Sequence, residues 1–219
     1  LSENSQVAEI LEAHNITLIG PTSDHIKIMG DKIVAKKTVS KLGIPVVPGS
    51  DGKINDIDHA KRIAGEIGYP ILIKASSGGG GKGMKIANSE SEIDEAYSLA
   101  KFEAKASFGD DTIYIEKYLN TPRHIEIQVF GDKFGNAIHL GERDCSLQRR
   151  NQKILEEATS PVIDDKKRNE IGKVASDAIS KLGYVGAGTV EFLYQDDKFY
   201  FIEMNTRLQV EHPITELIT

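Results

Sequence analysis

The sequence predicts an α+β protein with two mixed units after a short N-terminal region. Strands with a two-residue apolar period occur at 71–75 and 125–130, and amphipathic helices are expected at 56–67 and 164–182. A stretch rich in proline and glycine, 45–52, has the composition of a linker. We therefore expect three regions in chain order, 1–45, 46–118 and 119–219.

The composition is typical of a globular protein, because 39% of the 219 residues are hydrophobic and 27% are charged. The formal net charge of −6 argues against bulk binding of nucleic acid. The sequence has no apolar run of about 18 residues, which a membrane span would need. Cys145 is the sole cysteine, so no internal disulfide is expected and the chain fits a reducing, cytoplasmic compartment.

Neither end of the sequence has the form of a natural domain boundary. The chain starts at Leu1 without a methionine or a signal-peptide pattern, and it stops inside the apolar stretch Ile214–Thr219. We therefore expect a fragment of a longer protein.

The elements of regions 1–45 and 46–118 are predicted from periodicity and turn residues. In the N-terminal region we expect a helix at 3–14, a short strand at 16–19 and a helix at 24–42 interrupted near Gly30. Ser89 and Glu92 have the spacing of a capping box. The unit 46–118 should contain a helix at 56–67, strands at 71–75 and 84–87, a helix at 90–106 and a strand at 113–118.

The last region is expected to be rich in strands. The strand 125–130 should turn at 131–135 and return at 137–140. The segment 142–153 is polar and has no period, so we expect a loop. A helix at 164–182 and two strands at 189–194 and 199–205 complete the region.

A glycine loop lies between two predicted strands, at residues 76–84. It matches G-x-G-x-x-G at Gly78, Gly80 and Gly83, but a strand rather than a helix follows, so the dinucleotide-binding context is wrong. The backbone N–H groups of such a loop can close over phosphates, with Lys74 and Lys82 adding positive charge. The alternatives are a plain flexible hairpin and a Lys74 side chain that reaches solvent from a strand end.

Two acidic side chains are expected to face each other across the last hairpin. With a three-residue turn at 196–198, Tyr194 lies opposite Tyr200 and Glu191 lies opposite Glu203. Opposed carboxylates destabilise a hairpin unless a cation lies between them. Asn205 shares their face, and three oxygen ligands suit Mg²⁺. A solvated polar face is the alternative.

The period continues in Arg207–Glu211, which predicts an extended strand. Arg207, Gln209 and Glu211 would then share a face, where a guanidinium and a carboxylate can hold and deprotonate a small planar anion. The alternative is an exposed strand with a surface ion pair.

Charged residues are concentrated in the polar segment 142–153. Its basic side chains either line an anion site or are simply solvated. His124 and Glu116 lie near the ends of neighbouring predicted strands, where each is either a site residue or a structural residue. The basic residues are Arg143, Arg149, Arg150 and Lys153.

These motifs together resemble biotin carboxylase over nearly the whole chain. The resemblance is carried by Lys74 with the glycine loop and by Met29–Lys32, Glu116–Leu119, Arg123–Gln128, Glu142–Ser146, Gln148–Lys153, Gly186–Glu191 and Phe201–Pro213. It implies an ATP-grasp fold, in which 46–118 is a lid over ATP and 119–219 is the core. Residues 1–45 would be the tail of a preceding α/β domain. The sequence departs from the family at Asn151, where many members have histidine, and at Thr159, where proline is usual.

The resemblance also implies roles for single residues. ATP would be bound by Lys32, Lys74, Gly80, Gly81, Glu116, Lys117, Leu119, His124, Gln148 and Asn151. Bicarbonate would be bound by Lys153, Arg207, Gln209 and Val210, with Glu211 as its base and with Arg207 and Lys153 catalytic. Mg²⁺ or Mn²⁺ would be held by Glu191, Glu203 and Asn205.

The implied activity is ATP-dependent carboxylation of biotin on a biotin carboxyl carrier protein through carboxyphosphate. The stretch Asn151–Glu157 is most similar to the bacterial acetyl-CoA carboxylase subunit, which implies fatty-acid synthesis, carboxyltransferase subunits as partners and a homodimer. The open alternatives are a propionyl-CoA or pyruvate carboxylase, a carbamoyl phosphate-forming relative, and a nucleotide-binding fragment without turnover. Because the family's C-terminal domain is absent, we expect this chain alone to be inactive or weakly active.

Overall fold

The computed structural model describes residues 1–77 and 82–219. The helices in this part of the chain are α1 (Ser5–Ala13), α2 (Ser23–Gly30), α3 (Lys32–Lys41), α4 (Ile57–Ile67), a 3₁₀ turn at Glu90–Glu92, α5 (Ile93–Phe108), α6 (Asp165–Leu182) and α7 (His212–Ile218). The strands are β1 (Ile71–Ala75), β2 (Met84–Ala87), β3 (Ile113–Lys117), β4 (Arg123–Gly131), β5 (Ala137–Arg149), β6 (Gln152–Glu157), β7 (Gly186–Gln195) and β8 (Lys198–Asn205). The helices we describe include none with the length and apolar character needed to cross a membrane.

Helices fill the N-terminal region, and the predicted break near Gly30 is confirmed. Asp31 ends α2 and caps α3, because its carboxylate accepts hydrogen bonds from Ile33 N (2.9 Å) and Val34 N (3.0 Å). The strand predicted at 16–19 is wrong, since that segment is irregular. Ile19 is 99% exposed, and an isolated extended segment without a partner strand has no ladder to stabilise it.

Region 46–118 contains the smaller sheet, in the order β2–β1–β3, with both neighbours of β1 antiparallel to it. Helices α4 and α5 pack on one face, so Ile63, Ile73 and Ile115 are buried in one apolar cluster. The predicted capping box is wrong in detail: Glu92 accepts a hydrogen bond from Asn88 N (2.9 Å), whereas Ser89 makes no capping bond. The helix consequently starts after a 3₁₀ turn.

The larger sheet is also antiparallel, in the order β6–β5–β4–β7–β8. Alternate residues of its strands, such as Ile125, Ile127 and Phe192, pack against α6 in the main core. The intervening residues, such as Glu126 and Glu191, point to the opposite face. One face of this sheet is thus a hydrophobic core and the other is polar.

The linker pairs with both sheets. Phe201 N donates to Pro45 O (2.8 Å), and Lys117 N donates to Pro48 O (2.8 Å). Gly49 lies so close to β3 that a Cβ atom there would be 2.2 Å from Ile115 O. The linker therefore fixes the polar face of the larger sheet beside the smaller sheet, and a cleft lies between them.

The segment 142–153, expected to be a loop, forms strands instead. Strand β5 runs to Arg149, and Arg150 and Asn151 form a tight turn with φ of 53° and 62° before β6. Asp144, Arg143 and Glu142 are buried, each against an oppositely charged partner. Buried ion pairs replace the apolar alternation that would have predicted a strand.

The last hairpin has a different register near its turn from the predicted one. The turn has two residues, Asp196 and Asp197, so Tyr194 lies opposite Phe199 rather than Tyr200. A bulge at Ile202 then adds one residue to β8. Glu191 and Glu203 consequently lie opposite each other, as predicted, although for a different reason.

Residues 207–211 do not continue β8 as an extended strand. The chain turns after Thr206, and Glu211 lies immediately before α7 with φ of −81° and ψ of −2°. The predicted strand is therefore wrong, because α7 folds back beneath β5 and anchors the segment through Thr215.

Candidate active site

The cleft between the two sheets has a volume of about 740 Å³. The smaller sheet contributes Lys74, Glu116 and Lys117 to its walls, and the segment after β3 contributes Leu119. The larger sheet and the segment after β8 contribute His124, Gln148, Asn151, Lys153, Glu191, Glu203, Asn205, Arg207, Gln209, Val210 and Glu211, and α3 contributes Lys32.

The cleft thus brings together the predicted site residues that the structure describes. Gly80 and Gly81 lie outside the described residues. Arg149 and Arg150, which the polar segment offered as anion ligands, do not line the cleft. Arg143 is fully buried and is engaged by protein groups instead.

Four charged residues form a row across the polar face of the larger sheet. Arg143 on β5 is the cross-strand partner of Glu126 on β4, which is the partner of Glu191 on β7, which is the partner of Glu203 on β8. Three neighbouring carboxylates in a partly dehydrated cleft repel each other, so the row requires cations beside it. We call the three carboxylates, Glu126, Glu191 and Glu203, the acidic row.

Lys153 supplies one of these cations from β6. Its ammonium group donates to Glu126, to Glu191 Oε1 (2.9 Å) and to Glu211 Oε1 (2.7 Å). Burial alone would lower the pKa of Lys153, but Glu191 and Glu126 raise it well above its ordinary value. Lys153 therefore remains protonated and holds three carboxylates in one place.

Arg143 is a second cation, and each of its N–H groups has a protein acceptor. Nε donates to Glu126 (2.6 Å), while the terminal nitrogens donate to Gln128, Thr215, Thr189 and Gln209 at 2.8–3.3 Å. A guanidinium has five N–H donors, so the group is saturated. Arg143 thereby joins β4, β7, α7 and the 207–211 segment beneath the cleft floor.

Gln209 links Arg143 to Glu191 through two hydrogen bonds. Its carbonyl accepts from Arg143 (3.1 Å) and its amide donates to Glu191 Oε1 (3.0 Å). Asn205 also donates to Glu191 Oε1 (2.6 Å). Burial favours the protonated acid, but His124 and Lys153 outweigh it, so the pKa of Glu191 lies well below its ordinary value.

The predicted metal ligands have the chemistry and the placement that a divalent cation needs. Within the described residues, the hydrogen bonds to Glu191 end on Oε1, and Oε2 accepts none. The Nε2 atom of His124 lies 2.7 Å from this Oε2 but is buried without a hydrogen bond. Glu203 pairs with Lys32 at 2.9 Å. Since carboxylate and amide oxygens are the ligands that Mg²⁺ prefers, the donor set fits the ion.

The opposite wall of the cleft is organised by Glu116. Its carboxylate is 5% exposed and accepts from Lys74 (3.0 Å) on the cleft side and from Lys36 (3.0 Å) on α3. Burial alone would raise the pKa of Glu116, but Lys74 and Lys36 lower it below 4.5. Lys117, in contrast, points its ammonium group to the carbonyls of Gly68 (3.2 Å) and Tyr69 (2.6 Å).

Glu116→Gln should lower the free energy of unfolding at pH 7 by about 3 kcal/mol, because two buried lysines lose their counterion. The folded pKa lies below the ordinary 4.5, so the stabilisation is full above that value and is lost as the pH falls through the folded pKa. Urea unfolding from pH 7 to pH 3 should show the two proteins converging. Glu66→Gln, which breaks an exposed pair with Arg62, should change stability by less than about 1 kcal/mol. A difference that stays constant with pH would contradict the prediction.

Several residues of the site escaped the sequence analysis. Lys36 and Glu3 carry no local signal, and Glu126 lies in the motif Arg123–Gln128 but has no role assigned to it. Each of the three reaches the site through contacts with segments that are 27 to 204 residues away in the chain. Arg143 is recognisable as a basic residue, but its burial depends on partners from four other parts of the fold.

Comparisons with known proteins add a family context. The family described as carbamoyl-phosphate synthase L chain, ATP binding domain, matches residues 31–219. The chain is 56% identical over 220 residues to biotin carboxylase of Haemophilus influenzae, which covers 100% of this chain and 49% of the relative. The chain thus spans about half the length of the curated relatives it matches.

Solved structures agree along the whole chain. The biotin carboxylase domain dimer of Hydrogenobacter thermophilus 2-oxoglutarate carboxylase, in complex with MgADP, ADP and bicarbonate, is 51% identical with a TM-score of 0.96. Biotin carboxylase from Campylobacter jejuni, in a β,γ-ATP complex, is 50% identical with a TM-score of 0.96. Each match covers 100% of this chain and 49% of the other.

Proposed function

The chain belongs to the carbamoyl-phosphate synthase L chain ATP-binding domain family and has the ATP-grasp fold, and on that premise we propose that its protein carboxylates biotin with ATP and bicarbonate. The observation that carries the proposal is the meeting of Glu191 and Glu203 with Lys153, Arg207, Gln209 and Glu211 in one cleft. Anion ligands, a carboxylate base and candidate metal ligands are thereby within reach of one another. The similarity to biotin carboxylases over the full chain favours biotin over ammonia as the acceptor.

The nucleotide would occupy the part of the cleft nearer the small sheet. Lys74 and Lys32 offer cations to the phosphates, and each is also paired with a glutamate. Leu119, His124, Gln148 and Asn151 would surround the base and the ribose. Gln148 orients His124, because its amide contacts His124 Nδ1 at 3.0 Å.

Bicarbonate would bind beside Lys153 and Arg207, with Gln209 and the backbone of Val210 completing its contacts. Burial raises the pKa of Glu211, but the hydrogen bond from Lys153 outweighs it, so the pKa is lowered. Glu211 is therefore a carboxylate at neutral pH and takes the bicarbonate proton. The deprotonated oxygen of bicarbonate forms a bond to the γ-phosphorus of ATP. The bond between that phosphorus and the β,γ-bridging oxygen breaks, and the products are carboxyphosphate and ADP.

Glu191, Glu203 and Asn205 would hold Mg²⁺ or Mn²⁺, which when bound offsets charge on the phosphate oxygens. Lys32 and Lys153 contribute to the same electrostatic stabilisation from fixed positions. Carboxyphosphate then breaks down to CO₂ and phosphate, and the ureido nitrogen of biotin, once deprotonated, captures the CO₂.

We also propose a biotin carboxyl carrier protein as the natural acceptor and acetyl-CoA as the final one, in a cytoplasmic homodimer that works with carboxyltransferase subunits. The similarity of Asn151–Glu157 to the bacterial acetyl-CoA carboxylase subunit supports this choice. A solved relative of similar identity is named a 2-oxoglutarate carboxylase, so the acceptor needs its own test. Carboxyl transfer to acetyl-CoA, propionyl-CoA, pyruvate and 2-oxoglutarate should be compared with the purified partner subunits.

The carboxylation itself is tested by ADP release from the protein that contains this chain. We expect release that depends on bicarbonate and increases with biotin or its carrier domain. Ammonia should have no effect. Stimulation by ammonia with formation of carbamoyl phosphate would overturn the proposal, and so would ADP release that is indifferent to bicarbonate.

Glu203→Gln should weaken Mg·ATP binding by about 10- to 100-fold, the effect typical of losing a group that supports a metal site. Metal-free ATP should bind at least as well as before, because the change frees Lys32 from its ion pair. Calorimetric titration with and without Mg²⁺ measures both. The matched control is Glu156→Gln, which removes a carboxylate from the same cleft wall. Equal losses in the two titrations would exclude Glu203 as a metal ligand.

The 219-residue chain alone should bind Mg·ATP but should not carboxylate biotin at a useful rate. The nucleotide-facing residues are present, whereas correct positioning of biotin is worth several kcal/mol of the barrier and rests on regions outside this chain. ADP release by the isolated chain, with and without free biotin, is the measurement. Strong stimulation by biotin would place the acceptor site within residues 1–219.

A further inference from the structure

The N-terminal segment contacts the proposed bicarbonate site through Glu3. Glu3 Oε1 accepts a hydrogen bond from Thr206 N (3.1 Å), and Glu3 Oε2 accepts one from Arg207 Nε (2.7 Å). The carboxylate thus holds the main chain and the side chain of two consecutive residues, 203 and 204 positions away in the sequence. Because the backbone hydrogen bond fixes the carboxylate, the guanidinium is restrained more than it would be by a single surface ion pair.

This contact determines which donors of Arg207 remain for a ligand. Nε is used by Glu3, one terminal nitrogen donates to Leu208 O (3.2 Å), and the other donates to Asn205 Oδ1 (3.4 Å). A guanidinium has five N–H groups, so three contacts leave one N–H on each terminal nitrogen. Two such N–H groups suit two oxygens of a planar oxyanion.

Glu3 places a negative charge beside Arg207, which is proposed to bind an anion. A carboxylate beside an anion-binding arginine weakens anion binding by simple Coulomb repulsion. Orientation of the guanidinium has the opposite effect, because it removes rotamer entropy that the ligand would otherwise have to offset. The two effects predict opposite changes when the charge of Glu3 is removed.

We propose that Glu3 is a positioning residue, which orients the guanidinium of Arg207 to receive bicarbonate. This inference rests on the proposed function of the site. Nothing in it requires Glu3 to touch a substrate. Its contribution is transmitted through Arg207, so it should disappear when the guanidinium is absent.

The test is Glu3→Gln in the protein that contains this chain. The amide cannot accept both hydrogen bonds, and losing one charge-assisted bond should raise KM for bicarbonate about five- to tenfold. KM for ATP should change less than about twofold, since Glu3 does not line the cleft. In an Arg207→Lys background, Glu3→Gln should have no further effect on KM for bicarbonate.

The matched control is Glu9→Gln, which removes an equal charge from the same N-terminal region but pairs with Lys27 instead. It should leave both KM values unchanged. A lower KM for bicarbonate in Glu3→Gln would show that the charge of Glu3 opposes binding, and equal increases in both KM values would indicate a general structural role. Either result overturns the positioning role.

A binding measurement separates this inference from the proposed function. The NMR signal of Arg207 Nε–H should be slow to exchange in the unchanged protein and in Glu9→Gln, but not in Glu3→Gln. Titration with bicarbonate should shift it at about five- to tenfold higher concentration in Glu3→Gln. Identical titrations overturn the positioning role. A normal titration without bicarbonate-dependent ADP release overturns the proposed carboxylation alone.

Discussion

Arg143→Met should lower the free energy of unfolding by about 3–5 kcal/mol, the cost of removing one partner of a buried ion pair. Arg143 is completely buried and donates to Glu126, Gln128, Thr189, Gln209 and Thr215. Methionine fills much of the volume but satisfies none of these acceptors, so buried polar groups from four elements lose their partner. Domains are typically stable by only about 5–15 kcal/mol, so the loss is a large share of the total.

Urea unfolding monitored by circular dichroism gives the comparison. Arg62→Met is the matched control, because Arg62 is exposed on α4 and pairs only with Glu66 among the described residues, so it should change stability by less than about 1 kcal/mol. Arg143→Lys keeps the positive charge beside Glu126 but loses the five N–H donors of the guanidinium. Its free energy of unfolding should therefore lie between those of Arg143→Met and Arg62→Met. Equal stability of Arg143→Met and the unchanged protein would show that the acceptors find water or other donors.

Glu211→Gln should lower bicarbonate-dependent ADP release by about a hundred- to ten-thousandfold, the usual contribution of a general base. The carboxylate is 8% exposed and lies 2.7 Å from Lys153 Nζ. Glutamine keeps the size and a hydrogen-bond acceptor but cannot take the proton. Mg·ATP binding should remain close to normal, because Glu211 belongs to the anion end of the cleft.

Steady-state ADP release at saturating bicarbonate is the measurement, with calorimetry for Mg·ATP. Glu216→Gln, an exposed glutamate one turn along α7, is the matched control and should retain full activity. Residual activity within tenfold of the unchanged protein would exclude Glu211 as the base. The proposed function would then need a proton acceptor outside the residues named for it.

The sequence predicted most helices and strands, because apolar periodicity reports burial against a hydrophobic core. It failed at 142–153, where Glu142, Arg143 and Asp144 are buried by ion pairs rather than by apolar contacts. Polarity alone made this segment resemble a solvated loop. It failed again at Arg207–Glu211, where the turn depends on α7 and on Glu3.

The candidate site was predicted where motif and register agreed, and missed where long-range contacts determine the geometry. Glu191 and Glu203 were paired correctly, although from a three-residue turn that the chain does not have. Lys153 was recognised as an anion ligand, but its neutralisation of Glu126, Glu191 and Glu211 depends on four elements meeting. No local pattern contains that information.

The bulge at Ile202 has a consequence for how this hairpin can vary in length. Successive side chains in a strand alternate between faces, so in the present sequence Glu203 and Asn205 face the cleft because the bulge absorbs Ile202. A regular ladder over the same residues would turn Glu203 to the hydrophobic side, whereas removal of Ile202 together with the bulge would leave Glu203 opposite Glu191. Natural variants of the hairpin should therefore either keep both Ile202 and the bulge or lack both.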